Sequence, residues 1–344
     1  MTNRTPPDFW HPPIDETIVH TPHSRILVFG DAAPATLTIA IPTFRRPLLL
    51  QETLRSVLTQ TDLSAVRVVV VDNDPESNGH TVLLDAMPEL RALNFRYLRN
   101  HENVGLFGNW NACIAAADTE WVTVLNDDDL LEPAFVATIR DILAGDPTID
   151  AVACSMRELD TRDDRSELRG TSRRERIKDF LRFGFRDRIT LTPRSLFYRN
   201  IGGSSLGLVT KPGIVRAVGG YQRAEYPAAD YFLNVRLAAR FRFVRLRQVL
   251  TQVRIEENVS AKRDVMLDCL RQGREIQRAL LDAHAVPAWR DRFSGPFLRM
   301  AIDEWNARWH ADLNGREVGE RTGLLVPVRS TVLTRIAGIA MRAF

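Results

Sequence analysis

The amino-acid sequence predicts an α/β fold in which a doubly wound sheet is followed by a C-terminal helical extension. Strand-like and helix-like segments alternate between residues 36 and 143, as they do in sheets covered by helices on both faces. The segment Val66–Val71 is almost uninterrupted valine, which is typical of a strand buried on both faces. Polar or acidic residues follow several strands, so we expect their side chains to meet at the sheet edge where such folds bind ligands.

The first half of the chain is predicted to contain four strands and three helices. Apolar and β-branched runs place the strands at residues 36–43, 66–71, 95–98 and 121–125. Pro47 suits the first turn of a helix, and apolar residues then recur every three to four positions, at Leu50, Leu54, Val57 and Leu58. Two further helices are expected at residues 107–117 and 133–143.

The second half is predicted to contain shorter strands and longer helices. Strands are expected at residues 151–154 and 202–209, and helices at residues 228–238 and beyond residue 262. Asp230 falls in the first turn of its helix, where the helix dipole favours a carboxylate. Residues 332–344 predict a docking helix, with a basic amphipathic helix at a membrane surface as the alternative.

Composition and charge narrow the class of protein. The 344 residues are 44% hydrophobic and 26% charged, and a net charge of +3 is too small to indicate nucleic-acid binding. Three widely spaced cysteines fit a reducing cytosol, and residues 1–25 lack the apolar core of a signal peptide. Residues 161–200 carry twelve basic and six acidic side chains, which predicts a solvated face or a surface that meets phosphate or anionic lipid. We therefore expect a cytoplasmic protein whose membrane contact, if any, is peripheral and at the inner face.

Three consecutive carboxylates, Asp127–Asp129, follow the strand predicted at residues 121–125. Because adjacent carboxylates repel one another, a folded chain keeps them solvated or binds a cation there. Oxygen ligands of this kind suit a hard divalent ion such as Mg²⁺ or Mn²⁺, which keeps open positions for substrate phosphates. The residues alone leave two alternatives, a metal site or a solvated acidic turn before the helix that Pro133 opens.

Four motifs, in this order, resemble those of the family-2 inverting glycosyltransferases with the GT-A fold. They are IPTFRRP from Ile41, VVVVDNDPE from Val68, ENVGLFGNWNACIAAA from Glu102 and WVTVLNDDDLLEP from Trp121. The later VGGYQRAEYPAADYFLNVRLA, from Val218, is similar to the acceptor-side segment of that family, in which a glycine turn precedes an acidic residue on a helix. The resemblance covers residues 36–260 and implies a GT-A-like doubly wound mixed sheet.

The resemblance also implies roles for the matching residues. Nucleotide-sugar binding is implied for Pro42, Thr43, Arg45, Asp72, Asn103, Gly105 and Asp127. Asp128 would hold Mn²⁺ or Mg²⁺ on the diphosphate, with Asp129 as support, in what the family has as its DXD motif. Asp230 matches the catalytic base, which takes the proton of an acceptor hydroxyl.

Two departures from the family pattern bear on the choice of base. Ala229 precedes Asp230 where many relatives have a second acid, and glutamates follow Arg254 where relatives often have a histidine. Glu225 and Glu256 are therefore alternatives for a share in the site.

The function that the resemblance implies is metal-dependent, inverting glycosyl transfer, in the hexosyltransferase class. The sugar would pass from a nucleotide-diphosphate donor to a hydroxyl of a glycan or lipid-linked acceptor, in surface polysaccharide biosynthesis. A sugar-phosphate nucleotidyltransferase is one alternative, although Ile41–Arg46 lacks the glycine expected in the loop of such enzymes. A non-catalytic nucleotide-sugar-binding protein is the other, suggested by the departure at Ala229.

The chain is expected to divide into four parts. These are an N-terminal extension (1–35), a nucleotide-sugar-binding α/β half (36–155), an acceptor-side half of the same domain (156–260) and a C-terminal helical extension (261–344). Four prolines among the first thirteen residues exclude a long helix from the N-terminal extension. The C-terminal extension lies outside the resemblance.

Overall fold

The computed structural model describes residues 9–14, 23–161, 167–168, 183–255 and 262–328. The docking helix predicted at residues 332–344, Glu256 and much of the basic segment 161–200 lie outside the described residues. Within these ranges, every helix is too short or too polar to cross a lipid bilayer.

Eleven strands of the described chain form one sheet. They are β1 (His23–Phe29), β2 (Leu37–Thr43), β3 (Val66–Asp72), β4 (Phe95–Asn100), β5 (Trp121–Val124), β6 (Leu130–Leu131), β7 (Ala151–Asp160), β8 (Glu167–Leu168), β9 (Arg188–Thr190), β10 (Leu208–Thr210) and β11 (Phe243–Ile255). The order along the sheet is β1-β4-β3-β2-β5-β10-β7-β11-β6, with β8 paired to β7 and β9 to β11. Strands β4, β3, β2 and β5 are parallel, whereas β1 and β10 run antiparallel to their neighbours. The predicted mixed sheet is confirmed.

Ten α-helices accompany the sheet in the described residues. They are α1 (Pro47–Leu58), α2 (Gly79–Ala86), α3 (Gly105–Ala115), α4 (Phe135–Gly145), α5 (Pro193–Leu196), α6 (Pro212–Ala217), α7 (Ala229–Arg240), α8 (Arg263–Asp282), α9 (Ser294–Trp309) and α10 (Gly315–Thr322). Pro47 occupies the first turn of α1, where its missing N–H costs no helical hydrogen bond.

The strand β3 shows why the fold has two cores. Its side chains alternate between faces, so Val69 and Val71 join one apolar cluster while Val68 and Val70 join another. The first cluster lies under α3 and α7, and the second lies under α1 and α4. The sheet is therefore covered on both faces, as the valine run predicts.

The structure has two strands, one at each end of the α/β domain, that the sequence did not predict. Residues 23–29, assigned to an N-terminal extension, form the edge strand β1, which pairs antiparallel with β4. The thirteen-residue strand β11 was not predicted at all, although FVRLRQVLTQVRI carries an alternating pattern. The boundary expected at residues 155 and 156 falls inside β7, so both halves share one continuous sheet.

Candidate active site

The predicted nucleotide-binding residues lie where β2, β3 and β5 end. Thr43 at the end of β2 is the register partner of Asp72 at the end of β3, and Pro42 precedes it in the buried strand. β5 ends at Val124, so the acidic triplet Asp127–Asp129 follows at the same edge. Parallel strands thus bring these side chains to the carboxyl edge of the sheet, as expected.

Asp127 is held by Thr43, the last residue of β2, and by Arg46, which follows the strand. The hydroxyl of Thr43 donates a 2.7 Å hydrogen bond to Oδ2 of Asp127, and Arg46 forms an ion pair with Oδ1. The other guanidinium nitrogen of Arg46 donates to Oδ2 of Asp128 at 2.8 Å. The side chain of Asp127 is 1% exposed and that of Asp128 is 29% exposed, so Asp128 is the more accessible of these two carboxylates.

Asp129 is buried and binds the protein on both oxygens. Oδ2 accepts from the side-chain amide of Asn126 at 2.9 Å, and Oδ1 accepts from the backbone N–H of Arg254 at 3.0 Å. The Arg254 guanidinium donates to the backbone carbonyl of Asp128 at 3.0 Å and pairs with Glu52. The end of β11 therefore fixes the shape of the acidic loop.

Burial raises the pKa of two members of the triplet. The pKa of Asp127 is raised to about 6 by desolvation, which the Arg46 charge and the Thr43 hydrogen bond only partly offset. The pKa of Asp129 is raised to about 7, again by burial first and then by the neighbouring charge of Asp128. Perturbed carboxylates that cluster at a sheet edge are typical of functional sites.

A second group of polar side chains shapes the loop beside Asp72. One oxygen of Asp72 accepts from the hydroxyl of Tyr97. Asn73 donates to the side chain of Asn103 at 2.9 Å and accepts from the Val104 backbone N–H at 3.0 Å. Gly105, with a φ of 76°, begins α3 directly after this loop. The structure thus brings the predicted Asp72 and the 103–105 loop together through Asn73.

The side chain of Arg45 contacts Asp74 rather than the acidic triplet. Its Nε donates to Asp74 at 2.6 Å, and the side chain is 66% exposed. Arg45 also has a φ of 57°, in the left-handed region that side chains other than glycine rarely adopt. This turn sends Arg45 toward the β3 loop and leaves Arg46 to contact the acidic triplet.

Asp230 lies in the first turn of α7, and two hydrogen bonds orient its carboxylate. Oδ1 accepts from the Tyr231 backbone N–H at 2.8 Å, and Nδ2 of Asn200 lies 3.4 Å from Oδ2. Asn200 lies eight residues before β10, which runs antiparallel to β5. Asp230 is therefore linked to the segment that leads into β10. Burial raises its pKa to about 6.

A cavity of about 380 Å³ opens beside Asp230. One wall comes from residues 198–200 and 227–231, and the others come from α8, α9 and Leu324. The buried side chain of Gln272 in α8 accepts from the backbone N–H of Ala228, just before α7, at 3.0 Å. The C-terminal helices are thus hydrogen-bonded to the start of the helix that carries Asp230.

The carboxylates of the acidic triplet could hold a divalent ion only together with oxygen atoms of a bound substrate. In the part of the chain that the structure describes, no group of three or more His, Cys, Asp or Glu side chains could hold a metal ion. Both oxygens of Asp129 and both of Asp127 already bind protein groups. Asp128 offers one accessible carboxylate, and Mg²⁺ is commonly held by one or two carboxylates together with substrate phosphates.

Glu225, an alternative for a share in the site, has a structural partner. Its two oxygens accept from the two terminal nitrogens of Arg236 at 2.6 and 2.9 Å, and both side chains are buried. Because both oxygens of Glu225 bind Arg236, this bidentate ion pair joins the turn that contains Glu225 to α7.

Sequence reasoning missed four residues that organise the site: Arg46, Asn73, Arg254 and Asn200. The doubled arginine in IPTFRRP was a signal, but the sequence does not tell which arginine faces the acids. Asn73 lies directly after Asp72, so its place in the strand-end turn was a signal as well. Asn200 joins the site through folding of a distant segment, for which the sequence carries no local pattern.

The hydrogen bond from Thr43 to Asp127 predicts a pH-dependent loss of stability in Thr43→Val. The isosteric change removes a donor from a buried carboxylate, so we expect a loss of about 1–3 kcal/mol in the free energy of unfolding at pH 8. At pH 5, below the pKa of Asp127, the protonated carboxyl needs the donor less, so the loss should shrink. Urea unfolding at both pH values measures this, with Thr59→Val as the control. An equal loss at both pH values would contradict the assigned contact.

Part of the α/β domain is similar to known proteins. Residues 38–200 match the family model Glycosyl transferase family 2. A stretch of 103 residues, which is 30% of this chain, is 27% identical to GalNAc(5)-diNAcBac-PP-undecaprenol beta-1,3-glucosyltransferase of Campylobacter jejuni. The match spans 33% of that relative's length.

Two solved structures have a similar fold over about nine tenths of this chain. S. aureus TarS 1–349 in complex with UDP has a TM-score of 0.58 at 16% identity, over 90% of this chain and 89% of that one. The mannosyltransferase PcManGT from Pyrobaculum calidifontis, in complex with GDP-Man and Mn²⁺, has a TM-score of 0.52 at 17% identity, over 93% and 87%. At these identities the likeness concerns the fold. Residues 38–200 thus match glycosyltransferase family 2, and the chain has the mixed α/β fold of these glycosyltransferase structures.

Proposed function

We propose that this protein transfers a sugar from a nucleotide-diphosphate donor to a hydroxyl of a glycan or lipid-linked acceptor, with inversion at the anomeric carbon and with a divalent cation. The observation that carries the proposal is the presence of two acidic groups in one α/β domain. One is the triplet Asp127–Asp129 at the carboxyl edge of the sheet, and the other is Asp230 beside a cavity. The sheet edge can hold a charged donor, and a carboxylate beside a cavity can activate a nucleophile.

On the donor side, the strand ends would hold the nucleotide and its diphosphate. Asp72 and the 103–105 loop would bind the nucleoside, and Asp127 would lie at the ribose or the ion. Asp128, supported by Asp129, would hold Mn²⁺ or Mg²⁺, which when bound neutralises charge on the diphosphate. Arg46 spans the two carboxylates and limits their mutual repulsion.

On the acceptor side, Asp230 would act as the general base. Its raised pKa, about 6, makes the carboxylate a better proton acceptor than an exposed aspartate, yet leaves it ionised at neutral pH. As the hydroxyl oxygen bonds to the anomeric carbon, the bond to the diphosphate oxygen breaks, and the hydroxyl proton passes to Asp230. One such displacement inverts the anomeric centre.

The relatives support a class of substrates. Solved structures of similar fold contain UDP, UDP-GlcNAc or GDP-Man, and the Campylobacter relative is named for a lipid-linked acceptor. We infer a role in surface polysaccharide biosynthesis at the cytoplasmic face of a membrane, with at most peripheral contact.

The test is a donor screen. Purified protein is incubated with Mn²⁺ or Mg²⁺ and a panel of labelled sugar nucleotides, and donor binding, hydrolysis and transfer are measured. We expect at least one donor to bind and to be consumed, with inversion seen by NMR of the product. Absence of binding, hydrolysis and transfer for every donor would reject the proposal, and binding that is never followed by turnover would leave a nucleotide-sugar-binding protein.

Replacing Asp128 with Asn should distinguish the donor affinity that depends on the metal from the donor affinity that does not. Because Asp128 would be the accessible carboxylate of the ion, we expect the Mn²⁺-dependent part of donor affinity to fall by at least about 10–100-fold. Calorimetry with and without Mn²⁺ measures this, and Asp74→Asn, at the Arg45 pair, is the control. Unchanged metal dependence in Asp128→Asn would exclude Asp128 as the ligand.

A further inference from the structure

The cavity beside Asp230 is built largely by a part of the chain outside the matched family region. The family model ends at residue 200, whereas most of the cavity wall comes from α8 and α9. A volume of about 380 Å³ lies near the lower end of the range of small-ligand sites, roughly 300–1,000 Å³. The candidate base thus lines a cavity, called the chamber below, whose wall is formed mostly by α8 and α9.

We propose that this chamber binds a neutral glycosyl unit of the acceptor, and that the C-terminal helices α8 and α9 therefore determine acceptor specificity. The inference rests on the proposed function, because it takes Asp230 as the base for the acceptor hydroxyl. It adds the location and the chemical class of the acceptor group.

The lining residues favour a sugar over a phosphate or a lipid chain. Trp305 lines the cavity, and the ring of an aromatic side chain can pack against the C–H face of a sugar ring. The charged residues of the wall balance, since Arg199 and Arg274 stand against Asp230 and Glu304. An anionic headgroup would meet no net positive charge there, and an acyl chain would bury these charges.

Two of these charged side chains can serve hydroxyl groups. The side chains of Arg199 and Glu304, whose Nη1 and Oε2 atoms lie 3.6 Å apart, are both partly exposed at the cavity wall.

Gly273, in the middle of α8, keeps the chamber open. A glycine inside a helix costs about 0.5–1 kcal/mol relative to alanine, so its presence calls for a reason. Close packing is not that reason, because a Cβ at Gly273 would meet only the Tyr231 ring, at 3.9 Å. The position lines the cavity, so the missing side chain leaves space that a ligand can occupy.

The experiment changes the side chains that line the chamber and measures how well the enzyme uses the acceptor. Gly273→Leu and Trp305→Ala are made in the full chain, and transfer is measured from the donor that the screen identifies. The acceptor probes are neutral aryl mono- and disaccharides, the same sugars on polyprenyl diphosphate, and a uronic acid glycoside. We expect kcat/KM for the acceptor to fall about tenfold or more in both variants, while the Kd for the donor stays unchanged. Gly273→Leu should fold well, since it removes a helix-interior glycine.

Two controls and the competing outcomes separate this inference from the function itself. Glu275→Leu on the exposed side of α8 and Trp309→Ala on α9, outside the cavity lining, should transfer like the wild type. Three results would overturn the inference: normal acceptor kinetics in both chamber variants, a parallel loss of donor affinity, or a preference for the uronic acid. In each case, transfer by the wild type would still uphold the proposed function. A wild type that binds no donor overturns both. Equal use of free and lipid-linked sugars, or preference for the latter, supports the chamber and identifies the source.

Discussion

Asp230→Asn should lower the turnover number about 10²–10⁴-fold, because the acceptor hydroxyl then has no carboxylate to take its proton. The amide keeps the size of the side chain, and its oxygen can still accept from the Tyr231 backbone N–H. Donor affinity should stay unchanged, since Asp230 lies on the acceptor side. Turnover at saturating donor and donor binding by calorimetry, measured on the same preparation, check this.

The pH dependence of turnover provides a second readout of the same residue. Below its pKa of about 6, Asp230 is protonated and cannot accept a proton, so kcat should fall roughly tenfold per pH unit there. Above that pH the carboxylate is ionised and kcat should be level. Asp127 titrates in the same range, but its protonation should weaken donor binding, which saturating donor hides. The residual activity of Asp230→Asn should lack this acidic limb.

A variant at Asn200 serves as the control for position. Asn200→Ala removes an amide whose nitrogen lies 3.4 Å from the Asp230 carboxylate, so it should lower turnover far less than Asp230→Asn. If Asp230→Asn retained turnover near that of the wild type, another group would have to take the proton.

The sequence predicts the elements that local chemistry dictates. The alternation of Val68 to Val71 between two cores follows from the pleat of a strand, and Pro47 opens α1 for reasons of backbone geometry alone. Strand-end acids are likewise local features, which is why Asp72 and Asp127 were placed at the correct sheet edge.

Tertiary contacts account for what the sequence could not predict. The role of Asp129 depends on a hydrogen bond from the Arg254 backbone, which lies 125 positions away. The choice between Arg45 and Arg46 depends on one left-handed residue at the strand end. The cavity is lined by five separate segments of the chain, which only folding brings together. These features arise only once the chain has folded.

Replacing Glu225 with Ala should cost about 3–5 kcal/mol in the free energy of unfolding, because it leaves the Arg236 guanidinium charged and buried without its carboxylate. The pair is bidentate, Arg236 is 0% exposed, and its Nη2 also donates to the Gly220 carbonyl at 3.3 Å. This contact holds the glycine turn against α7, so its loss should loosen the segment that precedes Asp230. Denaturant unfolding followed by circular dichroism measures the change.

We expect this large loss in the free energy of unfolding because the Glu225–Arg236 pair is buried. An exposed ion pair on α8 serves as the comparison. Arg271 and Glu275 form an i,i+4 pair whose side chains are 39% and 48% exposed, so Glu275→Ala should cost no more than about 0.5 kcal/mol. Glu225→Leu combined with Arg236→Met should recover much of the stability, because a buried ion pair can be replaced by apolar groups at little cost. Glu225→Gln distinguishes structure from catalysis: we expect its folded form to keep its turnover. A stable Glu225→Gln with a hundredfold lower turnover would instead make Glu225 the base.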